Sequence, residues 1–280
     1  MSQRLALWSV RTSLNTMALI SPLRAGKSAL TIFSTPRKGR YREGTLPSWL
    51  MTADEQLVNA YQGEESRGYF FQADGPVILL AHGWESNSGR WEKLKDALLE
   101  IGYSVLMVDA PAHGASGGTA FSAVKYAGFM QPYCDKYNPV AIVGHSAGAM
   151  AAMYLTTKLG APSVNSLFLL GMPVKLTTLL KSYCTFLGLS RRVAQGLNSA
   201  IFKTYNEHPE WFDMADFAEK LTGDGLLLHD PKDGIAPYSE IESVAKLWQR
   251  GTLIEMPGEG HSLRSRNVID TICNSLGAVV

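Results

Sequence analysis

A chain of 280 residues with a formal net charge of +1, 46% hydrophobic and 18% charged residues, has the make-up of a globular protein with a large core. That balance leaves no electrostatic footprint for nucleic acid, and no apolar run reaches the length of a membrane span. The cysteines, Cys134, Cys184 and Cys273, are far apart and odd in number. They suggest neither a disulfide framework nor metal-ligand spacing, so the expectations are no metal and a reducing, cytoplasmic setting.

The first 33 residues are apolar in patches, with Arg4, Arg11, Arg24 and Lys27 interspersed. Arg11 interrupts the unbroken apolar stretch that a signal peptide needs. The segment reads as an amphipathic helical arm packed on the main domain, with peripheral membrane contact as the alternative. Residues 34 to 49, STPRKGRYREGTLPSW, are rich in basic residues, Gly and Pro and read as a solvated connector. Strands are predicted at Gln56–Tyr61, Gly68–Gln72, Val77–Ala81, Ser104–Val108, Val140–Val143, Ser166–Leu170, Gly225–His229 and Leu253–Met256. From Val77 onward they are continuously apolar, as expected of parallel strands covered on both faces. Helices are predicted at Arg90–Ile101, Phe121–Tyr137, Ala147–Lys158, Ser239–Gln249 and Asn267–Leu276. The alternation argues for a doubly wound α/β sheet. Val174 to Thr222 breaks it, with helical periodicity in pieces and no clear strand, and reads as a small helical cap. The expected divisions are arm and connector 1–48, core 49–173, cap 174–222 and core 223–280.

The stretch Gly144-His145-Ser146-Ala147-Gly148 ends a β-branched run and opens a small-residue helix. A serine on a sharp strand-to-helix turn needs small neighbours, and the helix N-terminus behind it favours negative charge. Such a serine requires a base, and the base a carboxylate. Downstream, in the order Ser, Asp, His, LLLHDPKDGIAP carries Asp230 and Asp233 just past one strand, and LIEMPGEGHS carries His261 just past the next. Either aspartate is within reach of the base. The strand Val77–Ala81 runs into His82-Gly83-Trp84, where the glycine admits close backbone approach. The N–H groups of Trp84 and Ala147 are the candidate oxyanion donors.

These segments, with VDAPAHGASGG (Val108–Gly118), resemble the α/β-hydrolase superfamily from about Gln56 to the C-terminus. The resemblance implies an eight-stranded, mostly parallel sheet with the site under a cap. It also implies Ser146 as nucleophile, His261 as base and Asp233 as the acid, since the superfamily's spacing falls on Asp233. Asp230 is then left to brace the turn, and Asp109 to anchor its loop. The resemblance does not specify a substrate.

The activity expected is hydrolysis of small carboxylic esters through an acyl-enzyme. A peptidase of the prolyl aminopeptidase kind is the alternative, since Glu207, Glu210, Asp213, Asp216 and Glu219 could bind a substrate amine. Thioesters, cleavable C–C bonds and a non-catalytic ligand-binding module are further rivals. No cofactor is expected, because the hydrolytic residues need only water. The expected partner is a small-molecule ester, and the sequence is silent on oligomeric state.

Overall fold

The structure is a computed structural model and describes residues 3–277; the outermost residues of the two terminal segments lie outside the described residues, as does the side chain of Arg4. The apolar runs form β1 (Glu55–Tyr61), β2 (Glu64–Phe71), β3 (Val77–Ala81), β4 (Ser104–Val108), β5 (Ala141–His145), β6 (Ser166–Leu170), β7 (Asp224–His229) and β8 (Gly251–Glu255). Among the described residues they make one eight-stranded sheet in the order β1-β2-β4-β3-β5-β6-β7-β8. The pairs β1–β2 and β2–β4 are antiparallel, and all later pairs are parallel. β4 and β5 are buried at every position, whereas edge strand β1 alternates between exposed and half-buried. That contrast follows the sequence pattern, because only a strand covered on both faces needs apolar residues throughout.

The helices in chain order are α1 (Gln3–Ile20), α2 (Pro22–Ser34), α3 (Glu92–Glu100), α4 (Ala123–Tyr137), α5 (Ala147–Tyr154), α6 (Leu176–Leu187), α7 (Arg191–Tyr205), α8 (Met214–Ala218), α9 (Tyr238–Leu247) and α10 (Arg266–Leu276). β3 lies between β4 and β5, so the chain crosses over in opposite directions on either side of it. A doubly wound sheet leaves a crevice there, at the carboxyl ends of the strands. The core beneath it is made by fully buried residues such as Leu80, Met107, Val143 and Leu228.

The chain divides into two compact units. One is helical and joins the segment up to Thr35 with Lys175–Asp213; the other holds the sheet, from Pro36 to Val174 and from Met214 on. In the helical unit Ser21 caps α2, accepting from the Arg24 N–H, and Pro22 supplies the fixed φ of a first turn. α2 lies directly on α7. A Cβ on Gly196 would sit 1.8 Å from the Pro22 carbonyl oxygen, and one on Gly26 1.9 Å from the Gly196 carbonyl carbon. Asn15 ties α1 to the α6–α7 turn: its amide donates to the Gly188 carbonyl (3.1 Å), and its oxygen accepts from the Ser190 N–H (2.7 Å).

Three expectations need correction. The arm packs on the inserted helices α6 and α7 and forms one compact unit with them, and that helical unit ends at Asp213 instead of Thr222. Periodicity reveals that a helix has an apolar face but not which partner covers it. α8 follows the other unit because Met214, Ala215, Phe217 and Ala218 are buried against α5 and α9. The connector, in turn, is not merely solvated. The Gly39 carbonyl accepts from the Gly114 N–H (2.8 Å) and the Asn87 amide (3.0 Å), and the Tyr41 N–H donates to the Gly114 carbonyl (3.0 Å). The side chains of Arg37, Lys38 and Arg40 stay exposed, and the Arg40 guanidinium adds a hydrogen bond to the Gly118 carbonyl.

Substituting Gly196→Val should force α2 off α7 and destabilise the helical unit by about 1–3 kcal/mol or more. The measurement is the shift in urea midpoint against wild type; an unchanged midpoint would mean that the close crossing contributes nothing.

Candidate active site

Ser146 sits between β5 and α5 with φ 52 and ψ −122, a conformation that a residue with a side chain rarely adopts. Strand and helix meet so closely that a Cβ on Gly148 would lie 2.3 Å from the Ala81 carbonyl oxygen. One on Gly144 would lie 2.6 Å from the Ala149 Cα. The Ser146 N–H donates to the Leu170 carbonyl at 2.8 Å, which pins the turn to the end of β6.

The three sequence-predicted side chains converge. Ser146 Oγ lies 2.9 Å from His261 Nε2, and His261 Nδ1 lies 2.7 Å from Asp233 Oδ2. With the Nδ1–H donated to the carboxylate, Nε2 is free to accept from the serine hydroxyl. Asp233 Oδ1 accepts from the N–H groups of Ile235 (2.8 Å) and Ala236 (3.1 Å). Burial pushes the Asp233 carboxyl up, but the His261 hydrogen bond and these two amides together hold it below the ordinary carboxylate value. Asp230 does other work. Its carboxylate accepts from the N–H groups of Lys232 (2.8 Å) and Gly260 (2.6 Å), and so ties the His261 loop to the end of β7.

The loop after β3 runs against this group. A Cβ on Gly83 would sit 3.0 Å from Ser146 Cβ and 2.7 Å from His145 Nδ1. Neither the Trp84 N–H nor the Ala147 N–H has a hydrogen-bond partner among the described residues. As the first residue of α5, Ala147 has no intrahelical acceptor to reach. Trp84 packs edge-to-face on His113 and Phe121, both at 5.4 Å between ring centroids, and remains 36% exposed.

Buried histidines and an aspartate shape these loops. Asp109, at the end of β4, accepts from the Ser88 N–H (2.8 Å), the Ser88 hydroxyl (2.7 Å) and the Ala115 N–H (2.9 Å). His82 Nε2 accepts from the Ala110 N–H (2.9 Å), and His113 Nε2 from the Glu85 N–H (2.9 Å). Burial keeps both rings neutral, as acceptance at Nε2 demands. Among the described residues no group of His, Cys, Asp and Glu has a metal-holding arrangement.

Sequence reasoning missed Arg90. It opens the predicted helix Arg90–Ile101, but its side chain is half-buried and donates to His145 Nδ1 and to the Ser262 carbonyl (2.9 Å). His145 Nε2–H in turn donates to the His261 carbonyl at 2.7 Å. Burial lowers the guanidinium to about 9, so it stays charged at neutral pH, and burial together with Arg90 keeps His145 neutral. A single sequence offers no signal separating this arginine from a solvated one.

The profile of the alpha/beta hydrolase family matches residues 78–268. The chain belongs to that family. Several solved α/β-hydrolases share its fold. Est1E from Butyrivibrio proteoclasticus, bound to ferulic acid, is 18% identical with a TM-score of 0.63, covering 79% of this chain and 97% of that one. An esterase from Pyrococcus furiosus is 15% identical with a TM-score of 0.63, covering 86% and 95%. Among curated proteins, the magnesium-chelatase 30 kDa subunit of Rhodobacter capsulatus is 36% identical over 97 residues. That match spans 33% of this chain and 34% of the relative, so only about a third of either is aligned.

Two outcomes follow for this α/β-hydrolase. Because Asp233 is held below its ordinary value of 3.8, its contribution to stability is present above that pH and lost as pH falls through the lowered value. The stability gap between wild type and Asp233→Asn should therefore be widest above about pH 4 and close below it, as read from urea denaturation across pH. Arg90→Met should cut kcat/KM by roughly 10- to 100-fold by loosening the His261 loop, while leaving the far-UV circular dichroism unchanged.

Proposed function

We propose that this α/β-hydrolase cleaves small carboxylic esters through a covalent acyl-enzyme. The observation that carries the reading is the continuous hydrogen-bonded series from Ser146 Oγ through His261 to Asp233, at 2.9 and 2.7 Å, on a strained strand-to-helix turn. Ser146 Oγ attacks the ester carbonyl carbon as His261 Nε2 takes the hydroxyl proton. Asp233 keeps the imidazole oriented and stabilises its charge. The Trp84 and Ala147 N–H groups face the oxyanion of the tetrahedral intermediate, and both lack competing acceptors. Collapse breaks the C–O bond, and His261 returns the proton to the departing alcohol. The same histidine then deprotonates a water, which attacks the acyl carbon and releases the acid and Ser146. No step calls for a metal or organic cofactor. The exposed Trp84 face, beside Phe121, offers a flat apolar wall for one arm of the substrate. Three free cysteines fit a reducing, cytoplasmic compartment.

The partial likeness to a magnesium-chelatase subunit favours a second reading, in which the chain acts as an assembly partner and not by hydrolysis. A role of that kind would survive loss of the nucleophile.

The discriminating experiment is steady-state kinetics on p-nitrophenyl esters from acetate to palmitate. Ser146→Ala should lower kcat by at least about 10⁴-fold, and Asp233→Asn by roughly 10⁴-fold. Trp84→Ala, which spares the backbone donor, should raise KM more than it lowers kcat. Well-folded wild type with no turnover on any ester would turn the conclusion toward the partner role.

A further inference from the structure

The helical unit carries nine Lys and Arg against three Asp and Glu, a net +6 in a chain whose total is +1. The remainder of the chain is therefore net negative. Within this unit Arg11, Arg24, Lys27, Lys181, Arg191 and Arg192 are exposed, and Lys203 with them. Of the unit's cations, Lys175 is paired to Asp213 at 3.5 Å. Among the described residues no ion pair is formed by the others.

The same unit exposes large apolar side chains. On α1, Leu5 is 55% exposed, Trp8 64%, Leu19 68% and Ile20 89%. At about 100° per residue these four fall within an arc of about 120°. Ser9, Thr12 and Thr16 share that arc, so it contains no charge. Leu14 and Ala18, the buried residues of α1, lie on the opposite side. α1 thus has two apolar faces: one covered by helices of its own unit, the other open. No helix of the described residues is long and apolar enough to cross a membrane, which leaves an in-plane contact.

From this we propose that the helical unit docks on an anionic lipid surface, with the Leu5–Trp8–Leu19–Ile20 face of α1 entering the headgroup layer and the unit's exposed cations attracted to lipid phosphates. Charge decides the occupant. A second copy would bring one +6 unit against another, so like charges would oppose pairing through this face. An anionic bilayer supplies the opposite charge and accepts apolar side chains at one depth. The proposal is independent of the ester-hydrolase reading, because neither Ser146 nor its partners take part. Its consequence would be delivery of the enzyme to substrates that partition at membranes.

The test is flotation of the 280-residue chain with phosphatidylcholine vesicles and with vesicles containing roughly one-third phosphatidylglycerol. Wild type should float with the second and not the first, and raising salt from roughly 0.1 to 0.5 M should weaken binding several-fold. Trp8→Ser with Ile20→Ser should lower the bound fraction at least about fivefold, with circular dichroism and ester turnover in solution unchanged. Quenching of tryptophan emission by brominated anionic lipid should fall in Trp8→Leu, which keeps the apolar bulk. Binding to neither vesicle, or binding indifferent to the double substitution, would overturn the proposal. A dimer in sedimentation that the same double substitution dissolves would also overturn it, and would give the face to a second copy.

Discussion

Ser146 is held in a backbone conformation that costs of the order of 1–3 kcal/mol, and the surrounding structure is arranged to hold it there. Gly144 and Gly148 let β5, α5 and the end of β3 approach to within contact, where any side chain would collide with backbone. The Ser146 N–H is fixed to the last residue of β6. The turn cannot relax without parting β5 from β6 in the buried centre of the sheet. This is why the hydroxyl is presented at the crevice while α5 starts directly behind it. The strain and the small residues are two aspects of one constraint.

The opposing loops meet Ser146 because they are cross-braced independently of it. Asp109 gathers the Ser88 and Ala115 amides, so the loops after β3 and β4 share one buried carboxylate. The connector adds a third strand of backbone through Gly39 and Gly114. On the other side, Arg90 reaches His145 and the Ser262 carbonyl, and His145 reaches the His261 carbonyl. Asp230 holds Gly260 from below. The His261 ring is therefore placed by its backbone, which is tied on both sides, and not only by the carboxylate of Asp233. These buried polar groups are satisfied mainly by backbone partners, which gives the loops one arrangement in place of many.

The fold was legible because its signals are local. Parallel strands covered on both faces are apolar through their interior, and in β3 to β7 polar side chains occur only at the strand ends. The Ser146, Asp233 and His261 positions were legible because each follows a strand end and their chain order is informative. Residue types alone did not separate Asp230 from Asp233; the superfamily's spacing favoured Asp233, whose carboxylate lies against the ring with its other oxygen held by the amides of Ile235 and Ala236. Arg90 was illegible because its partners lie 55 and 172 residues away. The pairing of the N-terminal arm with α6 and α7 was hidden for the same reason. Gly26 and Gly196 meet only after the chain has returned, and neither glycine announces the other.

The central claim is that this strained serine is activated by its hydrogen-bonded histidine. Intact-mass analysis after treatment with a fluorophosphonate, followed by peptide mapping, tests it most directly. The account predicts one adduct per chain, located on Ser146, and none on the serine-to-alanine variant. An unmodified, well-folded wild type, or an adduct on another residue, would contradict it.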